Sequence, residues 1–409
     1  MARHTLRSSP FARVIEVRSP ADKERYLFPR RRIVPPAPGE GGSWHSCLLS
    51  YGPIPPSEAR GLLQTLQTMG LHSGFRDLVG KGPRFQELIL PMTMPSVDRQ
   101  ARVPRNLTRP IARLLAAVAD ARRYHGSTGT RNWAIRGRSP MRVGGRVLVM
   151  GVVNVTPDSF SDGGHFFASD RAIEHGRALA REGADIIDVG GESTRPGATH
   201  VPVAKEMERV LPVIEALVEE VRVPISVDTR RPEVAKRAVG LGASIVNDVE
   251  GLRRKGMRAA VRESEAGVVA MHMRGTPDSM QNDTSYADIR SEVYCFLKTQ
   301  TDRALGAGIQ RDQIVIDPGI GFGKSVEGNV ELLDHLSEFR ALGFPILTGT
   351  SRKSFLGHIT GGLGVTERLE SSLGSAVFTS LRGADIVRVH DVQATIRALA
   401  LVNLLREPR

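Results

Sequence analysis

Asp228, Asn247 and Asp317 each close a short apolar run, and a polar side chain buried in such a run is costly unless it is hydrogen-bonded or paired. An Asp-Asn-Asp set suits a flat heterocycle that presents several N–H donors, with a guanidine-like edge as its natural guest. A single Asp or Asn after a strand more often caps a helix or holds loop amides, but three together weigh against that role. Lys353, Arg388 and His390 form a second set. Arg offers a fork to phosphate oxygens, Lys a compact charge and His a donor that can also carry charge. Together they would hold a polyphosphate leaving group or an anionic substrate edge; surface salt bridging is the competing reading. The loop Asn154-Val-Thr-Pro-Asp-Ser-Phe-Ser-Asp-Gly-Gly164 supplies oxygen ligands that suit Mg²⁺, an ion that shares its coordination with substrate phosphates and water. Gly163 and Gly164, beside Asp162, would let this loop close over a site. A second loop, Gly190-Gly-Glu-Ser-Thr-Arg-Pro-Gly197, brings Arg195 next to a Pro-Gly turn. His272 has no partner His at ligand spacing and reads as structural, and His165 carries no assignment. Cys47 and Cys295 are far apart, in no metal or redox spacing, and read as ordinary thiols.

The elements that must position these groups are eight short apolar runs alternating with amphipathic stretches, the pattern of parallel βα units. The runs are 147–154, 185–191, 224–229, 244–249, 267–273, 314–319, 345–351 and 385–391. Residues 171–182, 232–240 and 329–342 have helical spacing between them. Eight such units in about 280 residues fit a closed (β/α)8 TIM barrel better than an open sheet. The runs are apolar at their starts and polar at their ends. A barrel gathers all its strand C-termini at one mouth, so the polar residues would meet there although they are distant in sequence. Residues 131–409 are read as this barrel, and residues 1–130 as a separate module of α/β or α+β type. The first 55 residues, rich in Pro and Arg, read as weakly structured. Helical patterns at 57–69 and 111–124 follow, with Phe85 to Leu90 as a strand between them.

Charge and composition narrow the function classes. The chain has 409 residues and a net charge of +12. Residues 1–130 hold 20 Lys and Arg against 9 Asp and Glu, and residues 131–409 hold 36 against 35, so the basic excess belongs to the N-terminal module. That module shows no recognisable nucleic-acid motif or aromatic stacking set, so nucleic acid is not the expected partner. No apolar run approaches the ~20 residues that cross a bilayer. The start lacks a secretory pattern, and acids soon follow its early arginines, against a transit peptide. A cytoplasmic enzyme is expected, with no membrane partner.

Read in order, several segments resemble dihydropteroate synthase. They are Met150–Gly164, Asp188–Gly197, Ser226–Thr229, Asn247–Val249, Met271–Pro277, Asp317-Pro-Gly-Ile-Gly-Phe-Gly-Lys324, Gly349–Ser354 and Arg388–Asp391. The resemblance covers residues 131–405. It implies condensation of 6-hydroxymethyl-7,8-dihydropterin pyrophosphate with p-aminobenzoate, giving 7,8-dihydropteroate and pyrophosphate. It further implies that Asp228, Asn247, Met271, Asp317 and Lys353 hold the pterin, and that Asn154, Arg195, Arg388 and His390 bind pyrophosphate, with Asn154 on Mg²⁺. Phe160, Thr194, Arg195, Pro196, Phe322, Lys353 and Ser354 would shape the p-aminobenzoate site. Catalysis would fall to Asp317, Lys353, Arg388 and His390, and the assembly would be a homodimer. A catalytically idle pterin-binding homologue and a methyltetrahydrofolate methyltransferase-like barrel are the alternatives. Glu250 departs from the resemblance, standing where Ser or Thr is expected. The N-terminal module is absent from minimal synthases and is somewhat similar to an extension on some bacterial members.

Overall fold

The computed structural model describes residues 11–17, 46–54, 62, 74–78, 85–92, 117, 120, 121, 123–125, 129–155, 165–193 and 201–406. The chain divides into two compact units, residues 1–127 with 337–343, and residues 128–336 with 344–409.

The first unit holds β1 (Phe11–Val17), β2 (Ser46–Ile54), β3 (Gly74–Leu78) and β4 (Phe85–Met92) in the order β1-β2-β4-β3, every pair antiparallel. The expected strand at Phe85 is β4. Weak structure through residue 55 is not what is found for β1 and β2, which pair from Phe11↔Gly52 to Val17↔Ser46. The reason is local: Phe11-Ala-Arg-Val-Ile-Glu-Val and Cys47-Leu-Leu-Ser-Tyr contain the β-branched and aromatic residues that favour strands. The surrounding Pro and Arg mask that signal in the composition. Val14 and Ile15 are buried. Helical residues at Leu62 and at 117, 120, 121 and 123–125 lie in or directly beside the two expected helical stretches.

The second unit is an eight-stranded parallel barrel preceded by a hairpin of β5 (Arg131–Trp133) and β6 (Met141–Val143). Its strands are β7 (Leu148–Asn154), β8 (Ile186–Gly190), β9 (Ile225–Asp228), β10 (Ile245–Asp248), β11 (Gly267–Met271), β12 (Ile314–Asp317), β13 (Leu347–Thr348) and β14 (Ile386–Val389). Neighbours follow the order β12-β11-β10-β9-β8-β7-β14-β13, and a parallel bridge between Ile316 and Ile346 closes the ring. Each of the eight expected runs contains one strand. The helices are α1 (His165–Arg181), α2 (Val203–Glu220), α3 (Pro232–Gly240), α4 (Met257–Ser264), α5 (Ile289–Gly306), α6 (Val326–Asp334), α7 (Ser354–Ile359), α8 (Leu369–Leu381) and α9 (Val392–Arg406). Among the described residues, no helix is long and apolar enough to cross a membrane. Cys295, on α5, is a free thiol.

Alternation of strand side chains explains how this barrel builds a core and a site from the same faces. Leu148 and Met150, with Ile186, Ile245, Val269, Val315, Leu347 and Ile386, form one buried cluster with Trp133, Ile135 and Val143 of the hairpin region. Trp133 is fully buried, and its Nε1 donates to the Gln313 carbonyl at 2.9 Å. Ala134 N donates to the Asp312 carbonyl at 2.8 Å and Arg136 N to the Ser244 carbonyl at 3.2 Å. Those acceptors all precede strands, so the hairpin closes the N-terminal end of the barrel. Two residues further along the same faces, about 6.6 Å up the strands, stand Asp188, Asn247, Met271, Asp317 and Arg388.

Candidate active site

One carboxylate organises the mouth. Asp188 on β8 is completely buried, and its Oδ2 accepts from Arg388 Nε on β14 at 2.6 Å and from Asn247 Nδ2 on β10 at 3.0 Å. Arg388 Nη2 reaches Asp228 Oδ2 on β9 at 2.7 Å. Four strands are thus tied by three hydrogen bonds, two of them charge-assisted and correspondingly short. Burial pushes the Asp228 carboxyl well above its usual range, opposed by the Arg388 guanidinium and reinforced by Asp188.

Asp317 ends β12 and is buried; its Oδ1 accepts from Gly319 N at 2.7 Å. Burial raises its pKa, while Lys353 and the Gly319 amide pull the other way. Lys353 is the residue before α7. Its Nζ donates to the Ile320 carbonyl and lies over the Phe322 ring, 4.4 Å from the centroid, a cation–π contact. Burial lowers the Lys353 pKa to about 8, against the opposing pull of Asp317. No carboxylate is in direct ion-pair contact with it among the described residues.

The loop from Asp317 to Lys324 depends on glycine. Gly319 has φ +69, and a Cβ there would lie 1.9 Å from the His272 carbonyl oxygen, so no other residue fits. Phe322 packs against the buried cluster of Val249, Met271, Met273 and Met280, which places Met271 on the apolar wall of the same mouth. His390 follows β14, with its Nδ1 3.1 Å from Ser351 Oγ. Asn154 is the half-buried last residue of β7, and Ser354 is exposed at the first turn of α7.

The arrangement leaves a definite hydrogen-bonding capacity. Asn247 commits its amide nitrogen to Asp188, so its carbonyl oxygen remains; Asp228 and Asp317 each have one oxygen engaged and one to offer. Three acceptors, on β9, β10 and β12, are therefore open to a ligand edge rich in N–H groups, with Lys353 as a donor beside them. Arg388 engages through Nε and Nη2, leaving Nη1 without a hydrogen bond among the described residues.

A family model described as pterin binding enzyme matches residues 150–390, more than half of the chain. Dihydropteroate synthase of Escherichia coli K12 is 45% identical over 255 residues, which span 62% of this chain and 90% of that protein. The chain belongs to the dihydropteroate synthase family of pterin binding enzymes. The Synechocystis synthase is 44% identical over 263 residues, covering 64% of this chain and 91% of its own length. Among solved structures, the Xanthomonas albilineans synthase with 4-aminobenzoic acid is 47% identical. It covers 64% of this chain and 94% of its own, with a TM-score of 0.61. The Burkholderia cenocepacia synthase complexed with 7,8-dihydropteroate is 41% identical and covers 68% and 98%, also at a TM-score of 0.61.

Of the residues singled out in the sequence, Asp228, Asn247, Asp317, Lys353 and Arg388 interact directly or through one shared partner or loop. Arg388 lies on the carboxylates as well as near the expected anion end, so it is shared between the two sets. Phe160, Asp162, Gly163, Gly164, Thr194, Arg195 and Pro196 lie outside the described residues. Asp188 and Lys324 lie within the family-like segments 188–197 and 317–324 but carry no expected role from the sequence. The signal for Asp188 was its position, two residues after the core residue Ile186 and so on the same face. His272 is buried in an edge contact with Phe296, ring centroids 4.8 Å apart.

The unexpected Glu250 also has an explanation. It is buried, and its Oε1 accepts from Arg230 Nη1 at 3.0 Å while Oε2 accepts from Arg254 Nε at 3.3 Å. Arg230 in turn grips Glu192 through Nε and Nη2 at 3.0 and 3.1 Å. A Ser or Thr could not reach across to balance Arg230. Asp248, by contrast, points off the barrel interior and spends both oxygens on the amides of Glu250 and Leu252, each at 2.8 Å. It is a loop cap.

Proposed function

We propose that this chain is a dihydropteroate synthase, joining 6-hydroxymethyl-7,8-dihydropterin pyrophosphate to p-aminobenzoate with release of pyrophosphate. The single observation that carries the reading is the convergence at one mouth of three acceptors beside Lys353: Asn247 and Asp228, tied through Asp188 and Arg388, and Asp317. These acceptors match the amino and ring N–H groups of a pterin. Met271 would face the ring as an apolar wall, and Phe322 with Lys353 and Ser354 would receive the aryl acid.

Bond breaking at the pterin methylene leaves growing negative charge on the departing pyrophosphate and positive charge on the pterin. Arg388 Nη1 and His390 would bind the former, and the Asp317 carboxylate would favour the latter. The aniline nitrogen of p-aminobenzoate then attacks the methylene carbon and loses its proton. Asn154 would hold Mg²⁺, and its single neutral oxygen fits an ion whose other ligands are phosphate oxygens and water. When bound, that ion would neutralise leaving-group charge.

The test is product formation from labelled p-aminobenzoate, pterin pyrophosphate and Mg²⁺, beside a Lys353→Ala control. Dihydropteroate from the native chain, abolished in the control, is expected; a folded chain that binds pterin and makes no product would favour an idle homologue.

A homodimer is part of the proposal. Phe378 and Leu381 on α8, and Leu401, Leu404 and Leu405 on α9, are exposed at helical spacing on two neighbouring helices. An apolar face of this kind suits a second copy. Leu401→Glu is expected to give a monomer by light scattering, and an unchanged dimer would exclude this face. A cytoplasmic location is proposed from composition alone; recovery in an organelle or envelope fraction would refute it.

A further inference from the structure

Lys324 has no place in the roles assigned above, yet it is the most demanding side chain near the mouth. It is buried, and no ion pair reaches it among the described residues. Its Nζ is 2.7 Å from the Gly319 carbonyl oxygen, 2.9 Å from that of Phe322 and 2.9 Å from His272 Nδ1. Every partner is therefore neutral. Burial pulls both the Lys324 amine and the His272 ring well below their usual values. The cage accommodates either protonation state. An ammonium donates three hydrogen bonds, including one to an unprotonated Nδ1; a neutral amine donates two to the carbonyls and accepts one from Nδ1–H.

A methionine would fill this space without the desolvation cost of an amine, so the amine must do something that packing cannot. The loop it grips explains what. Gly319, Gly321 and Gly323 all have positive φ, at 69, 84 and 62°. Glycine peptides have little steric resistance to rotation, so hydrogen bonds set their directions: Phe322 N donates to the Gly319 carbonyl at 3.2 Å and Gly321 N to Asn329 Oδ1 at 2.6 Å. Lys324 takes the carbonyls of Gly319 and Phe322 on one side. The Ile320 carbonyl, between them, is left to Lys353. Two lysines thus add to the holds that Asp317 and Asn329 place on the loop amides, and Phe322, whose ring lies under Lys353, belongs to the same turn.

We propose that Lys324 is a positioning residue for the aryl-amine substrate: it orients the 319–322 peptides so that Phe322 and the Ile320 carbonyl hold Lys353 in place. This rests on the synthase reading above. Asp228 and Asn247 belong to strands and do not depend on this loop, whereas Phe322 and Lys353 receive the aryl acid through it, so loss of Lys324 should weaken p-aminobenzoate binding more than pterin binding.

The experiment compares steady-state kinetics of the native chain with Lys324→Met and Lys324→Gln, the latter keeping one amide donor. Lys324→Met is expected to raise KM for p-aminobenzoate about tenfold while KM for pterin pyrophosphate stays within about twofold, with Lys324→Gln between it and the native chain. If the Met variant does not fold, the Gln variant carries the same comparison. Unchanged KM for p-aminobenzoate, or an equal rise for both substrates, overturns the positioning role while leaving the synthase reading intact. A native chain that makes no dihydropteroate removes both.

Discussion

The two ends of the barrel interior are built from the same strands and the same inward faces, yet they obey opposite rules. At the N-terminal end Ile186, Ile245, Val315 and Ile386 meet Trp133 in a dry cluster. Two residues later on those faces, Asp188 accepts from both Asn247 and Arg388, Arg388 also holds Asp228, and Asp317 ends β12. The lower layer favours the folded state through burial. The upper layer holds carboxylates whose pKa values burial has raised, so at neutral pH they favour unfolding relative to ordinary carboxylates. The stable layer makes the costly one tolerable, a division expected where activity conflicts with stability.

Substitutions in the two layers should therefore separate catalysis from stability. The largest catalytic effect is expected for Asp317→Asn, a loss of about 100-fold in kcat. Asp317 also holds up the Lys353 pKa, which lies at about 8. Removing the charge should move the alkaline limb of the kcat/KM profile to lower pH. Thermal stability should not fall, because the folded state no longer carries a disfavoured carboxylate. Near-normal turnover in this variant would remove the cation-stabilising role of Asp317.

A smaller loss is expected for Asp188→Asn, which leaves Arg388 and Asn247 sharing one neutral acceptor. Such a loss is about 1–2 kcal/mol, or roughly tenfold in kcat/KM for pterin pyrophosphate. An unchanged value would mean that Asp188 organises nothing. The least catalytic effect belongs to the base: Trp133→Ala should cost about 3–5 kcal/mol of stability. Measured below its unfolding temperature, it should keep both KM values. A shift in either would show that the two layers are coupled.

How much of this was legible depended on the kind of signal. Asp228, Asn247 and Asp317 stood out because a polar residue at the end of an apolar run is unusual, and all three belong to the mouth. Asp248 looked the same in sequence and is a loop cap, because strand alternation turns it to the other face. Glu250 read as a departure since its partner Arg230 is distant in sequence. Strands β1 and β2 were hidden by the Pro and Arg around them, and the closing hairpin β5–β6 is too short to show a period.

The amino-acid sequence alone determined the alternation of apolar runs and helices, the barrel class, the family and most of the polar set, since these rest on local periodicity and residue type. Only the tertiary structure decided which oxygen is engaged and which remains. It tied Arg388 to two carboxylates and placed Lys324 in a cage of neutral acceptors. Those facts depend on contacts between strands up to 200 positions apart, whose distances and directions arise when the barrel closes.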